Sequence, residues 1–213
     1  MSECPLCQSP ETGAYSRDKF RSFLLCQACG LIFVPRAELI TRDHEKLRYE
    51  DHQNSEDDEG YQLYLTKTAS ALGEKLPSSA RGLDFGCGRT KILAEKLASL
   101  GHEVDSYDVF FHRDETIWEK KYDFIVLSEV IEHLREPREE MERLSGLLYP
   151  QGRLFIKTKF APQSLKDFET WFYKRDITHV QFFGLRSMEA LKEILKMDEI
   201  EVLASDLSLL RLH

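Results

Sequence analysis

Leu83-Asp84-Phe85-Gly86-Cys87-Gly88-Arg89-Thr90 opens on apolar residues, turns on two glycines and runs into a helical pattern. Strand, glycine turn and helix N-terminus in that order form a cradle for a nucleotide cofactor. Glycines let the backbone approach a ligand with no Cβ in the way, and the first N–H groups of the helix face it. Gly86 and Gly88, with Phe85 and Cys87 between and beside them, are therefore candidate cofactor contacts. The chain carries on through Thr90 without the third glycine that completes a dinucleotide fingerprint.

The pattern extends outward on both sides. Upstream, residues 60–76 place Tyr61, Tyr64, Leu65, Thr68, Ala69, Leu72 and Leu76 on one helical stripe, closed by Pro77-Ser78-Ser79. Downstream, 90–100 predicts a helix with Gly101 as its stop, and 102–108 a second strand ending in Asp108. That acid lies about twenty residues past the glycine turn, where a carboxylate accepts hydrogen bonds from ribose hydroxyls. Residues 122–128 are almost continuously apolar, as in a strand buried on both faces, and lead into Glu129. Pro137 suits a helix start, Pro150-Gln151-Gly152 is expected to turn into a strand at 153–158, 187–196 reads as a helix, and 199–204 and 207–212 read as closing strands. Alternating strands and helices predict an α/β fold, a Rossmann-like doubly wound and mostly parallel sheet. Its ligands are expected at the strand ends carrying Gly86, Asp108, Ser128 and Glu129.

The N-terminus has other chemistry. Cys4-Pro5-Leu6-Cys7 and Cys26-Gln27-Ala28-Cys29-Gly30 are two C-x2-C knuckles eighteen residues apart. Cys4, Cys7, Cys26 and Cys29 supply four thiolates for a tetrahedral structural zinc, which predicts a zinc ribbon over residues 1–40; four free or redox-active cysteines are the alternative. Only Cys87 lies elsewhere, a usage that fits a reducing compartment. With 42% hydrophobic and 31% charged residues and no apolar run near the ~18 residues of a membrane span, a cytoplasmic protein without a membrane partner is expected. The net charge of −8, and a ribbon whose Arg17, Lys19, Arg21 and Arg36 balance Glu3, Glu11, Asp18 and Glu38, argue against nucleic acid as a partner. Residues 41–59 read as a polar linker in which the 48–54 segment, with Tyr49 and His52, is a candidate lid over the cofactor. Residues 60–213 form the main domain.

Asp84-Phe85-Gly86-Cys87-Gly88, Asp108, Glu129-Val130-Ile131-Glu132-His133 and Pro150-Gln151-Gly152 together resemble the successive motifs of class I S-adenosylmethionine (SAM)-dependent methyltransferases, over residues 60–213. More narrowly, R-Y-x-x-H-x-N at 48–54 and W-x-Y-x-R-D-x-T-H at 171–179 resemble a bacterial methyltransferase-domain group with an N-terminal zinc ribbon. The resemblance implies SAM against Gly86 and Gly88, Asp84 beneath the turn toward its amino-acid end, Asp108 on its ribose, and Ser128 and Glu129 beside its methionine part. Two departures stand out: Gln151 replaces a usual glycine, and the span from Asp108 to Tyr122 is shorter than usual, which leaves the adenine-binding residues open, with Phe110 and Phe111 as candidates.

Methyl transfer from a sulfonium is an in-line displacement, and a general base helps only where the acceptor is a hydroxyl or a protonated amine. His133 and His179 are the catalytic candidates, with His52 a third; each could equally be a structural hydrogen-bonding group. The aromatic stretch 160–184 is expected to line a pocket for a small-molecule acceptor. Two alternatives stay open. Glu129, Glu132, His133 and His179 resemble the magnesium site of small-RNA ribose 2′-O-methyltransferases, and the chain could also be a zinc-ribbon adaptor without catalysis.

Overall fold

The computed structural model describes residues 2–51 and 58–212. In chain order these form β1 (Thr12–Arg17), β2 (Ser22–Cys26), β3 (Ile32–Phe33), α1 (Arg42–Asp51), α2 (Glu59–Gly73), β4 (Arg81–Phe85), α3 (Ile92–Ser99) and β5 (Glu103–Tyr107). Then follow β6 (Tyr122–Ser128), α4 (Pro137–Ser145), β7 (Leu148–Lys157), α5 (Leu165–Thr170), β8 (Gln181–Phe182), α6 (Leu185–Ile194), β9 (Glu199–Ala204) and β10 (Leu207–Arg211).

Six strands make the main sheet in the order β5-β4-β6-β7-β10-β9. The pairings among β5, β4, β6 and β7 are parallel; β10 pairs antiparallel with both β7 and β9. Side chains alternate across the sheet, so each apolar strand feeds two cores. Phe124, Val126, Phe155 and Leu209 pack under α2 and α3 through Leu65, Leu72, Leu93 and Leu97. Ile125, Leu127, Leu154 and Ile156 face α4 and α6 through Met141, Leu144, Met188 and Leu191. The sheet is thus doubly wound, as its apolar patterning requires.

Local chemistry sets the helix ends. Asp58 caps α2 by accepting a hydrogen bond from the Tyr61 N–H at 3.0 Å, Pro137 occupies the first turn of α4, and Gly101 takes φ +96° after α3. Three expectations need correction. Helix α2 stops at Gly73, a turn before Pro77, and α3 starts at Ile92 because the 88–91 segment is spent on the loop. The Pro150-Gln151-Gly152 turn is absorbed as a bulge inside β7: Tyr122 pairs with Leu148, but Phe124 already pairs with Arg153. Gln151 sits there at φ +64°, the left-handed conformation that favours glycine.

Residues 42–51, whose composition reads as linker, form α1. Its Glu45 is buried and held by Arg135 at 2.6 Å. The N-terminal hairpin does not stand alone either. A second, antiparallel sheet runs β1-β2-β3-β8, with Ile32 opposite Phe182 and Phe33 opposite Gln181, so the strand that completes it comes from far along the chain. Cys4, Leu6, Cys26, Cys29, Leu31 and Phe33 merge into the core under α4 and α6. Among the described residues no helix is long and apolar enough to cross a membrane.

Candidate functional site

The carboxyl ends of β4, β5 and β6 open onto a cavity of about 650 Å³. Gly86 and Gly88 both take positive φ, +76° and +68°, at its floor. They serve different ends. A Cβ on Gly86 would stand 2.5 Å from Val130 Cγ2, so this glycine permits close packing of the turn; a Cβ on Gly88 would meet no atom within 4 Å, so this one leaves space at the cavity. The Gly86 and Cys87 N–H groups both donate to the Tyr107 carbonyl, at 2.8 and 3.1 Å, which locks the turn onto β5.

Asp108 ties two loops together: Oδ2 accepts from the Gly88 N–H at 3.1 Å, and Oδ1 from those of Phe110 and Phe111 at 2.8 and 3.1 Å. Asp84 lies beneath the turn, 2% exposed, and its Oδ2 has no hydrogen-bond partner. Burial pushes its pKa up to about 7 against the Ala94 N–H that favours the carboxylate, and the charge of Asp108 adds to the rise. An aromatic corner flanks the turn, with Phe85 stacked on Tyr107 at 5.2 Å, Trp118 edge-on to both, and the Arg143 guanidinium 3.3 Å from the Trp118 ring centre. Glycine-made space, an orphaned buried carboxylate oxygen and an aromatic corner fit a cationic, adenine-bearing cofactor.

The opposite wall is made of side chains. Glu129, at φ +56°, receives hydrogen bonds at both carboxylate oxygens: from the Tyr64 hydroxyl at 2.9 Å and the Tyr173 hydroxyl at 2.9 Å. A non-glycine residue in that conformation costs of order 1–3 kcal/mol and persists because its surroundings hold it. Tyr173 also contacts Glu132 Oε1, yet one phenol has one proton to donate. Glu132 is fully buried, and burial together with the neighbouring Glu129 charge raises its pKa. The consistent arrangement has a protonated Glu132 donating to the Tyr173 oxygen while Tyr173 donates to Glu129.

His133 and His179 lie beside this network with ring centres 4.6 Å apart, and both line the cavity. His133 Nδ1 faces the Thr178 carbonyl at 3.0 Å, and His179 Nδ1 faces that of Tyr173 at 2.7 Å. A carbonyl can only accept, so in each neutral ring Nδ1 carries the hydrogen and Nε2 keeps the basic lone pair. Tyr49 stands edge-on to His133 at 5.3 Å and packs on Phe110 at 5.7 Å, which brings α1 over the cavity. His52 lies outside the described residues. Glu132, His133 and His179 offer possible metal-ligand atoms all within 4.8 Å of one another; Glu129 is not part of that cluster.

The sequence-predicted Phe85, Gly86, Cys87, Gly88, Asp108, Ser128, Glu129, Tyr49, His133 and His179 all line this one cavity, and Asp84 lies beneath it. Burial raises the Cys87 thiol pKa, so it stays neutral. Sequence reasoning missed Trp118 and Arg143 and took Tyr64 only as a core position. A Trp within the short 108–122 span was the available signal. Separately, Cys4 Sγ lies 3.6 Å from Cys29 Sγ and Cys7 Sγ 3.5 Å from Cys26 Sγ, and all four sulfurs fall within 4.8 Å of one another. Four converging free thiols suit a tetrahedral thiolate site.

A family model described as a methyltransferase domain matches residues 58–194. No curated protein matches the sequence significantly. Among solved structures, the chain is similar to the 1,6-didemethyltoxoflavin N1-methyltransferase of Burkholderia thailandensis, solved with 1,6-didemethyltoxoflavin and S-adenosylhomocysteine. Identity is 16% and the TM-score 0.56, over 93% of this chain and 98% of that one. It is also similar to an S-adenosylhomocysteine-bound methyltransferase of calicheamicin biosynthesis, at 16% identity and TM-score 0.51, over 78% of this chain and 56% of that one. An O-methyltransferase family protein of Burkholderia thailandensis matches at 14% identity and TM-score 0.50, over 78% and 61%. At these identities the likeness is one of fold.

Proposed function

The chain belongs to the methyltransferase-domain family, and we propose that it transfers the methyl group of SAM to a small-molecule acceptor. The observation that carries this reading is a single cavity with the glycine cradle and Asp108 on one side and the paired imidazoles on the other. When bound, SAM supplies an electrophilic methyl group on a sulfonium. Gly86 and Gly88 would hold its backbone-facing side, and Asp108 would accept from its ribose hydroxyls with the lone pairs left by three N–H groups. Glu129 and Ser128, with Asp84 below, would hold its amino-acid end. Phe85, Tyr107, Trp118 and Phe110 present apolar surface for the adenine and exclude water.

On the acceptor side, His133 or His179 takes a proton at Nε2 from a hydroxyl or ammonium as its nucleophilic atom is exposed. Tyr49 closes over His133 and keeps that proton transfer away from bulk water. The small-molecule acceptor is supported by the size of the cavity, about 650 Å³, and by the 1,6-didemethyltoxoflavin that the Burkholderia thailandensis enzyme binds. Cys4, Cys7, Cys26 and Cys29 would hold a structural zinc with no open position, in keeping with a reducing, cytoplasmic setting.

Calorimetric titration of the zinc-replete protein with SAM and S-adenosylhomocysteine tests the reading. Micromolar binding that disappears in Asp108→Ala is the expected result, and no binding by the wild type overturns it. A second variant, in which a divalent cation on Glu132, His133 and His179 holds the acceptor hydroxyl, would require Glu132 to give up its proton. Activity that falls with a chelator and returns with Mg²⁺ or Mn²⁺ would distinguish it from metal-free base catalysis.

A further inference from the structure

Arg21 belongs to the N-terminal hairpin, just before β2, yet it is 3% exposed and the hydrogen bonds of its Nη atoms all lie elsewhere. Nη1 donates to the carbonyls of Ile177 at 2.9 Å and His179 at 2.7 Å; Nη2 donates to those of Lys174 and Asp176. All four Nη hydrogens are thereby spent on one short segment. The nearest carboxylate, Asp18, is only loosely paired at 3.8 Å, and burial lowers the guanidinium pKa despite that charge. A buried cation is costly unless its hydrogen bonds are complete, and here backbone carbonyls take all four Nη hydrogens while Asp18 faces Nε.

The remaining carbonyls of the same segment are the ones the histidines use. Tyr173 O is taken by His179 Nδ1 and Thr178 O by His133 Nδ1. Six carbonyls between residues 173 and 179 are therefore shared between one guanidinium and two imidazoles. The peptide planes that Arg21 fixes are the neighbours of those that choose which ring nitrogen carries the proton.

We propose that Arg21 is a positioning residue that sets the Nδ1–H tautomer of His133 and His179, so that the cysteine-bearing hairpin takes part in the chemistry of the cavity. The proposal rests on the methyltransferase reading for what the Nε2 lone pairs do, but not for the tautomer itself. Losing the clamp lets the 174–179 segment relax, frees Tyr173 O and Thr178 O to turn, and admits the Nε2–H tautomer, which offers no base to the cavity.

Nitrogen-15 NMR of histidine-labelled full-length protein, in mildly alkaline buffer, reads the ring tautomers directly. His133→Gln and His179→Gln spectra assign the signals. The wild type is expected to show both rings as Nδ1–H, and Nε2–H on either ring overturns the proposal at once. In Arg21→Gln and Arg21→Lys, at least one ring is expected to shift toward Nε2–H, with kcat reduced about tenfold or more and S-adenosylhomocysteine affinity within about twofold of wild type. Arg21→Lys retains the buried charge and carries the same test if the glutamine variant does not fold. Tautomers unchanged in a folded variant, whatever the activity, would reduce Arg21 to a structural tie and overturn the proposal. Failure of the wild type to bind S-adenosylhomocysteine would strike the methyltransferase reading and leave the tautomer result standing.

Discussion

The two walls of the cavity are built from different materials. The glycine cradle is backbone: one turn, two positive φ angles, and N–H groups converging on Asp108 and on the Tyr107 carbonyl. The facing wall is side chain, drawing Tyr64 from α2, Glu129 from the end of β6, His133 beyond it and His179 from the segment before β8, with Tyr173 and the buried Glu132 hydrogen-bonded to it outside the cavity lining. A wall of backbone tolerates altered side chains but not an added Cβ. A wall of buried polar side chains tolerates added bulk at its edge but not the loss of one hydroxyl or one proton.

The greatest loss is expected at Gly86. Gly86→Ala combines left-handed strain with a Cβ 2.5 Å from Val130, and should cost about 3 kcal/mol or more in urea unfolding and abolish S-adenosylhomocysteine binding. Gly88→Ala has the same kind of φ but open space, so about 1 kcal/mol of stability should go while affinity falls. Equal stability losses at the two glycines would break the distinction drawn between packing and ligand space.

Across the cavity, His133→Gln should lower kcat by roughly 100-fold with S-adenosylhomocysteine affinity unchanged, if the acceptor is a hydroxyl or ammonium. A matching loss of affinity in calorimetry would put His133 in the cradle instead. Tyr173→Phe strips the bridging hydroxyl from between Glu129 and Glu132 and should cost about 2 kcal/mol. Adding Glu132→Gln should return part of that loss, and strict additivity in the double-mutant cycle would show that the two do not share a proton.

A further effect, dependent on pH, is expected under the cradle. The folded-state pKa of Asp84, about 7, lies above the ordinary carboxylate range. Its contribution to stability is then fully present below that range and declines as pH rises through the folded value. Asp84→Asn should therefore change little at about pH 3 and stabilise the cofactor-free protein by about 1–2 kcal/mol at about pH 8, as thermal or urea unfolding would show.

The same contrast explains what could be read in advance. The cradle is local: Gly86, Gly88 and the acid at the end of the next strand stand at spacings set by one β-turn-α-β unit, and the apolar run 122–128 could only be a central strand. The polar wall depends on how distant segments meet. Tyr64 belongs to an apolar helical stripe, and nothing in that stripe announces that its hydroxyl reaches Glu129. Arg21 looked like one of several charges balancing the hairpin, because its four acceptors are backbone carbonyls, which have no signature in composition. The linker-like 42–51 segment hid a helix since its apolar content is low; Glu45 is buried by pairing with Arg135 rather than by hydrophobicity. Gln151 concealed a left-handed position that a glycine would have advertised.

The pairing of β3 with β8 bears on the order in which the molecule can mature. During synthesis Cys4, Cys7, Cys26 and Cys29 emerge before any strand of the main sheet, while Gln181 and Phe182, which finish their own sheet, emerge long after them. Closing so long a loop is slow compared with forming a local hairpin, and chains emerge at about 5–20 residues per second. The four thiols thus wait beside an unfinished sheet edge until β8 arrives to complete it.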